Sequence, residues 1–272
     1  MKRNLVAEPQ WMGWLREQVR HVRDFDLMNE ALKKQGLSEE EIAAGFQAVR
    51  PLHSALIDGK VGTPPLIRRA PPKLRKIDVP FELYAYDDFL SQKECARIVA
   101  LTSHHLKPSP IASDLEDKQY RTSTTCALAD LRSPLALEVD AKICRTIGIR
   151  AQYGEGIQAQ RYDIGQQFKP HCDFFHPGTP DFRRFATING NRTWTVMIYL
   201  NEGMEGGATR FTKADLAFAP KAGMALLWNS LLEDGTPNHN TEHCGEPVTR
   251  GHKVIITKWF RLFGTGPVFY DT

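Results

Sequence analysis

From Ile157 to Phe263 the chain breaks into short segments of strand character, at 157–163, 167–174, 192–200, 208–211, 216–219, 224–229 and 253–263. No segment of that length buries an apolar face alone, so these must pack on one another. Before them, up to Gly148, the patterns are mostly helical. Helices first and a run of short strands afterwards argue an α+β architecture with a twisted antiparallel sandwich or barrel as its core. A jelly roll is one of the double-sheet solutions that leave few strand edges exposed.

The chain has 272 residues, 42% hydrophobic and 25% charged, which is ordinary for one or two domains with a sizeable core. A net charge of +3 is too small to argue for nucleic acid, and no such partner is expected. Five cysteines, an odd number without CxxC spacing, favour reduced thiols over a disulfide framework. The start, MKRNLVAEPQ, is basic but has no apolar stretch of a secretory signal. No apolar run approaches the ~18 residues of a membrane span. A cytoplasmic protein without a membrane partner is expected.

Three regions follow. Residues 1–58 form a helical module. Pro9 suits a first helical turn, with Trp11, Leu15, Val19 and Val22 on one face. A second helix spans Asp26 to Gln35, stopped by Gly36. Ser38 and Glu41 make a capping box for a third, which Pro51 is expected to follow. Residues 59–80 carry four prolines before Pro80 and five Lys/Arg after Val61, and read as a solvated linker. Residues 81–272 form the last domain. In it, Phe81–Tyr86 alternates like a strand, Ser91 and Glu94 cap a helix reaching about His105, and another helix runs near Leu135–Ile147. The segment 176–191 is too long for a tight turn and reads as a lid or substrate loop. Its paired Arg183 and Arg184 are candidates for a substrate carboxylate.

The chemistry concentrates at His171-Cys172-Asp173. Side chains two apart on a strand share a face, so an imidazole and a carboxylate there can bind one metal while Cys172 points away. With one distant His they make a 2-His-1-carboxylate triad, which leaves open positions on iron(II). His239, His243 and His252 are candidates for that third ligand. Ten residues after His243 stands Lys253, opening an apolar strand. A lysine buried on a strand needs an anion to meet it, and the far carboxylate of a small dicarboxylic acid would serve.

From about Phe81 to Arg261 the chain resembles the prolyl 4-hydroxylase branch of the iron(II)/2-oxoglutarate dioxygenases. The pieces that carry the resemblance occur in the family's order: FELYAYDDFLSQKECARIV from Phe81, Arg121-Thr122-Ser123, QAQRYDIGQQFKPHCDFF from Gln158, RTWTVMIYLN from Arg192, EGGATRF from Glu205, the strand entry at Pro220, and HCGEPVTRGHK from His243. The resemblance implies a double-stranded β-helix of jelly-roll type and iron held by His171, Asp173 and His243. It places Lys253 and Tyr162 on the far carboxylate of 2-oxoglutarate, with Thr195 and Thr257 at further co-substrate positions. It sets Trp259 beside the pocket and Arg121 at the substrate. Cofactors implied are Fe(II), 2-oxoglutarate, O2 and ascorbate as reductant.

Three features depart from the family. Ala208 stands where its GGET motif has glutamate, Val254 follows the lysine where tryptophan is usual, and the helical module lies outside the minimal catalytic domain. They bear on the substrate and leave the metal and lysine positions intact. The expected reaction is hydroxylation of a proline-like residue in a peptide or protein, with release of succinate and CO2. The alternative substrate is a free or carrier-bound cyclic amino acid of proline or pipecolate type. A non-catalytic binding protein on the same fold is the third reading, opposed by retention of all three ligand types and the lysine. Oligomeric state stays open.

Overall fold

The computed structural model describes residues 9–20, 25–57, 73–109, 119–186, 189–264 and 268–270. The N-terminal region is helical, as the apolar spacing requires. Its helices are α1 (Pro9–Arg20), α2 (Phe25–Lys34) and α3 (Glu39–Ile57). They share a core that includes Leu15, Val19, Met28, Leu32, Ile42 and Val49. Ser38 and Glu41 form the expected box, each side chain bonded to the other's backbone amide at 3.3 and 2.7 Å. Pro51 does not end the helix: α3 runs through it to Ile57. Proline there removes one intrahelical bond, and the helix continues on both sides of it. Val22 and residues 58–72 lie outside the described residues.

From Lys73 onward the expected linker has become part of a sheet. β1 (Leu74–Lys76) pairs antiparallel with β2 (Leu83–Tyr86) at the sheet's edge. Only Leu74 of β1 is buried, while Arg75 and Lys76 are exposed. An edge strand needs no more, which is why basic composition alone reads as linker.

α4 (Gln92–Thr102) begins at the second box, with Ser91 and Glu94 reciprocally bonded. β3 (Lys107–Pro108) and β4 (Thr124–Cys126) precede α5 (Pro134–Ile147). Ser133 caps α5 by accepting from the Ala136 amide. The remaining strands are β5 (Gln158–Tyr162), β6 (Phe168–His171), β7 (Arg192–Tyr199), β8 (Glu205–Gly206), β9 (Thr209–Phe211), β10 (Leu216–Phe218), β11 (Ala225–Asn229), β12 (His243–Gly245), β13 (Val248–Arg250) and β14 (Lys253–Arg261).

The major sheet runs β1-β2-β11-β7-β14-β5-β4-β3 and the minor sheet β10-β9-β12-β6, while β8 and β13 pair separately. Central strands buried on both faces read as continuous apolar runs. On β7 and β14, Trp194, Val196, Ile198, Val254, Ile256 and Phe260 pack with the buried faces of α4 and α5. Met197, Tyr199 and Ile255 turn the other way, toward Phe211 of the minor sheet. This is the expected α+β jelly roll, with helices behind the large sheet and the site between the two sheets. Among the described residues no helix is long and apolar enough to cross a membrane. The five cysteines are free.

Candidate active site

β6 runs antiparallel to β12, and the register sets His243 directly across from His171. Residues opposite each other in a ladder approach to roughly 5 Å at Cβ, and the two ring centroids are 4.4 Å apart. Phe168 stacks on His171 at 3.5 Å, and Trp228 meets His243 edge-on at 4.8 Å. Asp173 does not share a strand with His171 as expected, because β6 ends at His171 and the carboxylate arrives from the bend after it. Thr195 of β7 fixes that bend by donating its hydroxyl to Asp173 Oδ2 at 2.6 Å. Thr195 therefore orients a ligand of the triad and is absent from the cavity wall, contrary to its expected co-substrate position.

One candidate ligand atom from each of His171, Asp173 and His243 lies within 4.8 Å of the other two. Nδ1 of His171 faces the Lys169 carbonyl at 2.8 Å, and Nδ1 of His243 faces the Thr241 carbonyl at 2.9 Å. A ring nitrogen facing a carbonyl carries the proton, so each Nε2 keeps its lone pair for a metal. Burial, with His243 alongside, pushes His171 down to about 3, leaving a neutral imidazole at pH 7. Burial alone would raise Asp173, but His243, His171, Arg192 and the Thr195 hydroxyl outweigh it and hold the carboxyl below its usual range. Two imidazoles and one carboxylate, buried together, fit iron(II). His239 and His252, the other candidates, do not join this cluster.

Lys253 pairs across the ladder with Tyr162 of β5. Both are buried, at 1% and 2% exposure. The ammonium donates to the Gly207 carbonyl at 2.9 Å and lies 4.4 Å from the centre of the Tyr162 ring. Burial lowers its pKa to about 8. No carboxylate among the described residues lies within ion-pair distance of it. The loop bearing Gly207 depends on its glycines: Gly206 has φ 71, and a Cβ there would stand 2.2 Å from the Pro247 carbonyl oxygen.

One cavity joins the triad to this lysine. His171, Asp173, His243, Lys253, Tyr162, Thr257, Trp259 and Arg121 all line it. The Thr257 hydroxyl donates to Gln160 Oε1 at 3.3 Å. Arg121 stands 4.9 Å from the Phe168 ring and donates to Ser123 at 3.3 Å. Arg183 and Arg184 do not reach the cavity. Both are exposed, Arg183 on the Gly178 carbonyl at 3.4 Å and Arg184 against the Phe185 ring at 5.0 Å.

Two further arginines gather beside Trp259. Arg192 grips Glu155 with two bonds, of 2.7 and 2.9 Å, and lies 4.0 Å over the Trp259 ring. Arg261 shares Glu155 at 3.4 Å and donates to the Phe185 carbonyl, while its buried Nη1 has no hydrogen-bond partner. Alternation along β14 was the signal for Arg261, which follows Lys253, Ile255, Thr257 and Trp259 on one face. The same rule, applied from Tyr162, points to Gln160. Trp228 and Trp259 complete the wall, and neither buried indole N–H has a hydrogen-bond partner.

Fold and donor set together define a class: a jelly roll with a 2-His-1-carboxylate centre. A family model described as the 2OG-Fe(II) oxygenase superfamily matches residues 157–261. The chain is 31% identical over 184 residues to prolyl 4-hydroxylase subunit alpha-1 of Homo sapiens, covering 66% of this chain and 34% of that one. It is also 31% identical over 201 residues to probable prolyl 4-hydroxylase 10 of Arabidopsis thaliana, covering 65% of this chain and 68% of that one. It spans about a third of the length of the animal alpha subunits it matches. A solved viral collagen prolyl hydroxylase from Paramecium Bursaria Chlorella virus-1, in its 2OG complex, shares the fold. Its TM-score is 0.50 at 24% identity, over 66% of this chain and 95% of that one. The chain belongs to the 2OG-Fe(II) oxygenase superfamily, in its prolyl 4-hydroxylase-like branch.

Proposed function

We propose that this chain is an iron(II)- and 2-oxoglutarate-dependent hydroxylase of a proline-like residue in a peptide or protein, releasing succinate and CO2. The observation that carries the reading is a buried ammonium without a counter-ion in the same cavity as a buried His-Asp-His set. Iron(II), when bound, supplies the oxygen chemistry, with ascorbate as its reductant. The residues supply the rest. His171, Asp173 and His243 would hold the metal, and Thr195 keeps Asp173 aimed. Lys253 neutralises the far carboxylate of 2-oxoglutarate, and Tyr162 and Thr257 shape that end of the pocket. Phe168, Met197, Trp228 and Ile255 exclude water around it. The names of the similar proteins support proline as the substrate residue.

A second substrate reading, a free cyclic amino acid, is favoured by one feature. Two guanidiniums share the single Glu155 carboxylate beside Trp259, and the spare charge suits a substrate carboxylate. The test is anaerobic loading with iron(II) and 2-oxoglutarate, then oxygen with ascorbate, and mass spectrometry of proline-containing peptides, L-proline and L-pipecolate. A one-oxygen mass gain on peptides is expected. Gain on free amino acids alone would replace the peptide by the second reading. Absence of succinate with every compound would leave a binding protein on this fold.

A further inference from the structure

One side chain packs both against the helical module and against the apolar cluster that holds a chain neighbour of Asp173. β14 ends at Arg261, and the next two residues are tied down by backbone bonds, Leu262 to the Asn191 carbonyl at 3.0 Å and Phe263 to that of Asn189 at 2.9 Å. The Phe263 ring packs against the core of the three helices, which includes Leu15 and Leu32. The same ring packs into a second apolar cluster made by Phe174, Leu231 and Leu262, with Cys172 at its margin. Cys172 and Phe174 are the two chain neighbours of Asp173. There is no slack around the ring: Gly190 has φ 70, and a Cβ there would meet Phe263 at 2.8 Å and Leu262 at 2.6 Å. Phe174 also touches His239, four residues before His243, at 5.2 Å.

We infer that Phe263 is a positioning residue through which the helical module braces the 172–174 bend, and with it the Asp173 ligand. The inference rests on the metal reading above. Asp173 sits beyond the end of β6, so no ladder bond of that strand holds it. What fixes it is the Thr195 hydroxyl on its carboxylate, the Arg192 guanidinium on its carbonyl at 3.4 Å, the Asn191 amide clamping the Phe175 backbone, and apolar packing of its neighbours. A module outside the minimal catalytic domain thereby becomes part of the metal site's support. Groups that orient a ligand from behind typically change metal affinity 10–100-fold when removed.

The experiment titrates the full chain with cobalt(II), an oxygen-stable stand-in for iron(II), and follows the visible d–d bands. Phe263→Ala is expected to weaken cobalt binding by about tenfold and to alter the band shape, and Phe263→Leu to restore most of both. Ile147→Ala, a cavity in the core behind the large sheet, is the control. It is expected to lower the melting temperature while leaving cobalt affinity at the parent value. Phe263→Ala that melts as low as the control but binds cobalt as tightly as the parent overturns the brace. A parent chain that binds no cobalt would instead overturn the metal reading itself.

Discussion

Lys253 and Lys258 stand five residues apart on β14, both all but excluded from solvent, and they face opposite sides of the sheet. Behind the sheet, Lys258 donates to Asp140 of α5 at 2.7 Å and to the Glu155 carbonyl at 2.9 Å. Inside the barrel, Lys253 has one carbonyl and one aromatic face. Burying a charge is costly unless it is paired. The lysine with a carboxylate is therefore a piece of architecture, and the lysine without one is, in the proposed function, the receptor for the far carboxylate of 2-oxoglutarate. Burial without compensation is the mark of the site.

Breaking the structural pair should give the largest effect on stability. Lys258→Ala leaves Asp140 against the helix-side core and is expected to cost about 3 kcal/mol in urea unfolding, near the low end for a buried pair because Asp140 keeps a quarter of its side chain exposed. Its KM for 2-oxoglutarate should stay at the parent value. Lys253→Met inverts both results. It removes a desolvated ammonium, so the variant should melt at or above the parent. It also loses a charge-assisted partner of about 1.5–3 kcal/mol, which raises the KM for 2-oxoglutarate roughly 10- to 150-fold. A drop in stability as large as that of Lys258→Ala would show that Lys253, too, is architecture.

The smallest and sharpest effect is in pH. The protonated ammonium is the form that holds the carboxylate, and burial sets its pKa at about 8 in the ligand-free protein. Affinity for 2-oxoglutarate should be flat below that point. Above it the neutral amine prevails and the apparent Kd should rise about tenfold per pH unit. Calorimetry from pH 6.5 to 9.5 measures this. Loss of the slope in Lys253→Met would assign it to this residue, and a slope beginning near pH 10 would deny that burial acts on it.

Much of this arrangement is legible in the sequence. The capping boxes at Ser38 and Ser91 and the strand segments at β5, β7, β11 and β14 are local patterns, and they fold where local chemistry places them. β12 was not legible, because His243-Cys244-Gly245 has no strand character of its own and becomes a strand only between β9 and β6. β1 was hidden for the same reason, its single buried leucine sitting in a basic, proline-rich stretch. Of the cations expected at the substrate, Arg121 lines the cavity, while Arg183 and Arg184, paired in sequence, do not reach it. Arg192, Arg261 and Glu155 gather beside Trp259 from three separate segments, a gathering that no local pattern announces.

The sequence by itself determined the residue types of the centre, the order of its pieces and the alternation that sends Lys253, Thr257 and Trp259 to one face, since these depend on spacing along one strand. Only the tertiary structure decided that the Asp173 carboxylate meets the two imidazoles from a bend held by Thr195, that Lys258 is paired with a carboxylate while Lys253 is not, and that Phe263 packs both against the helices and against the cluster beside that bend. Those facts depend on which strands become neighbours. That choice is made by the summed burial of two sheets and two layers of helices, which no single segment contains.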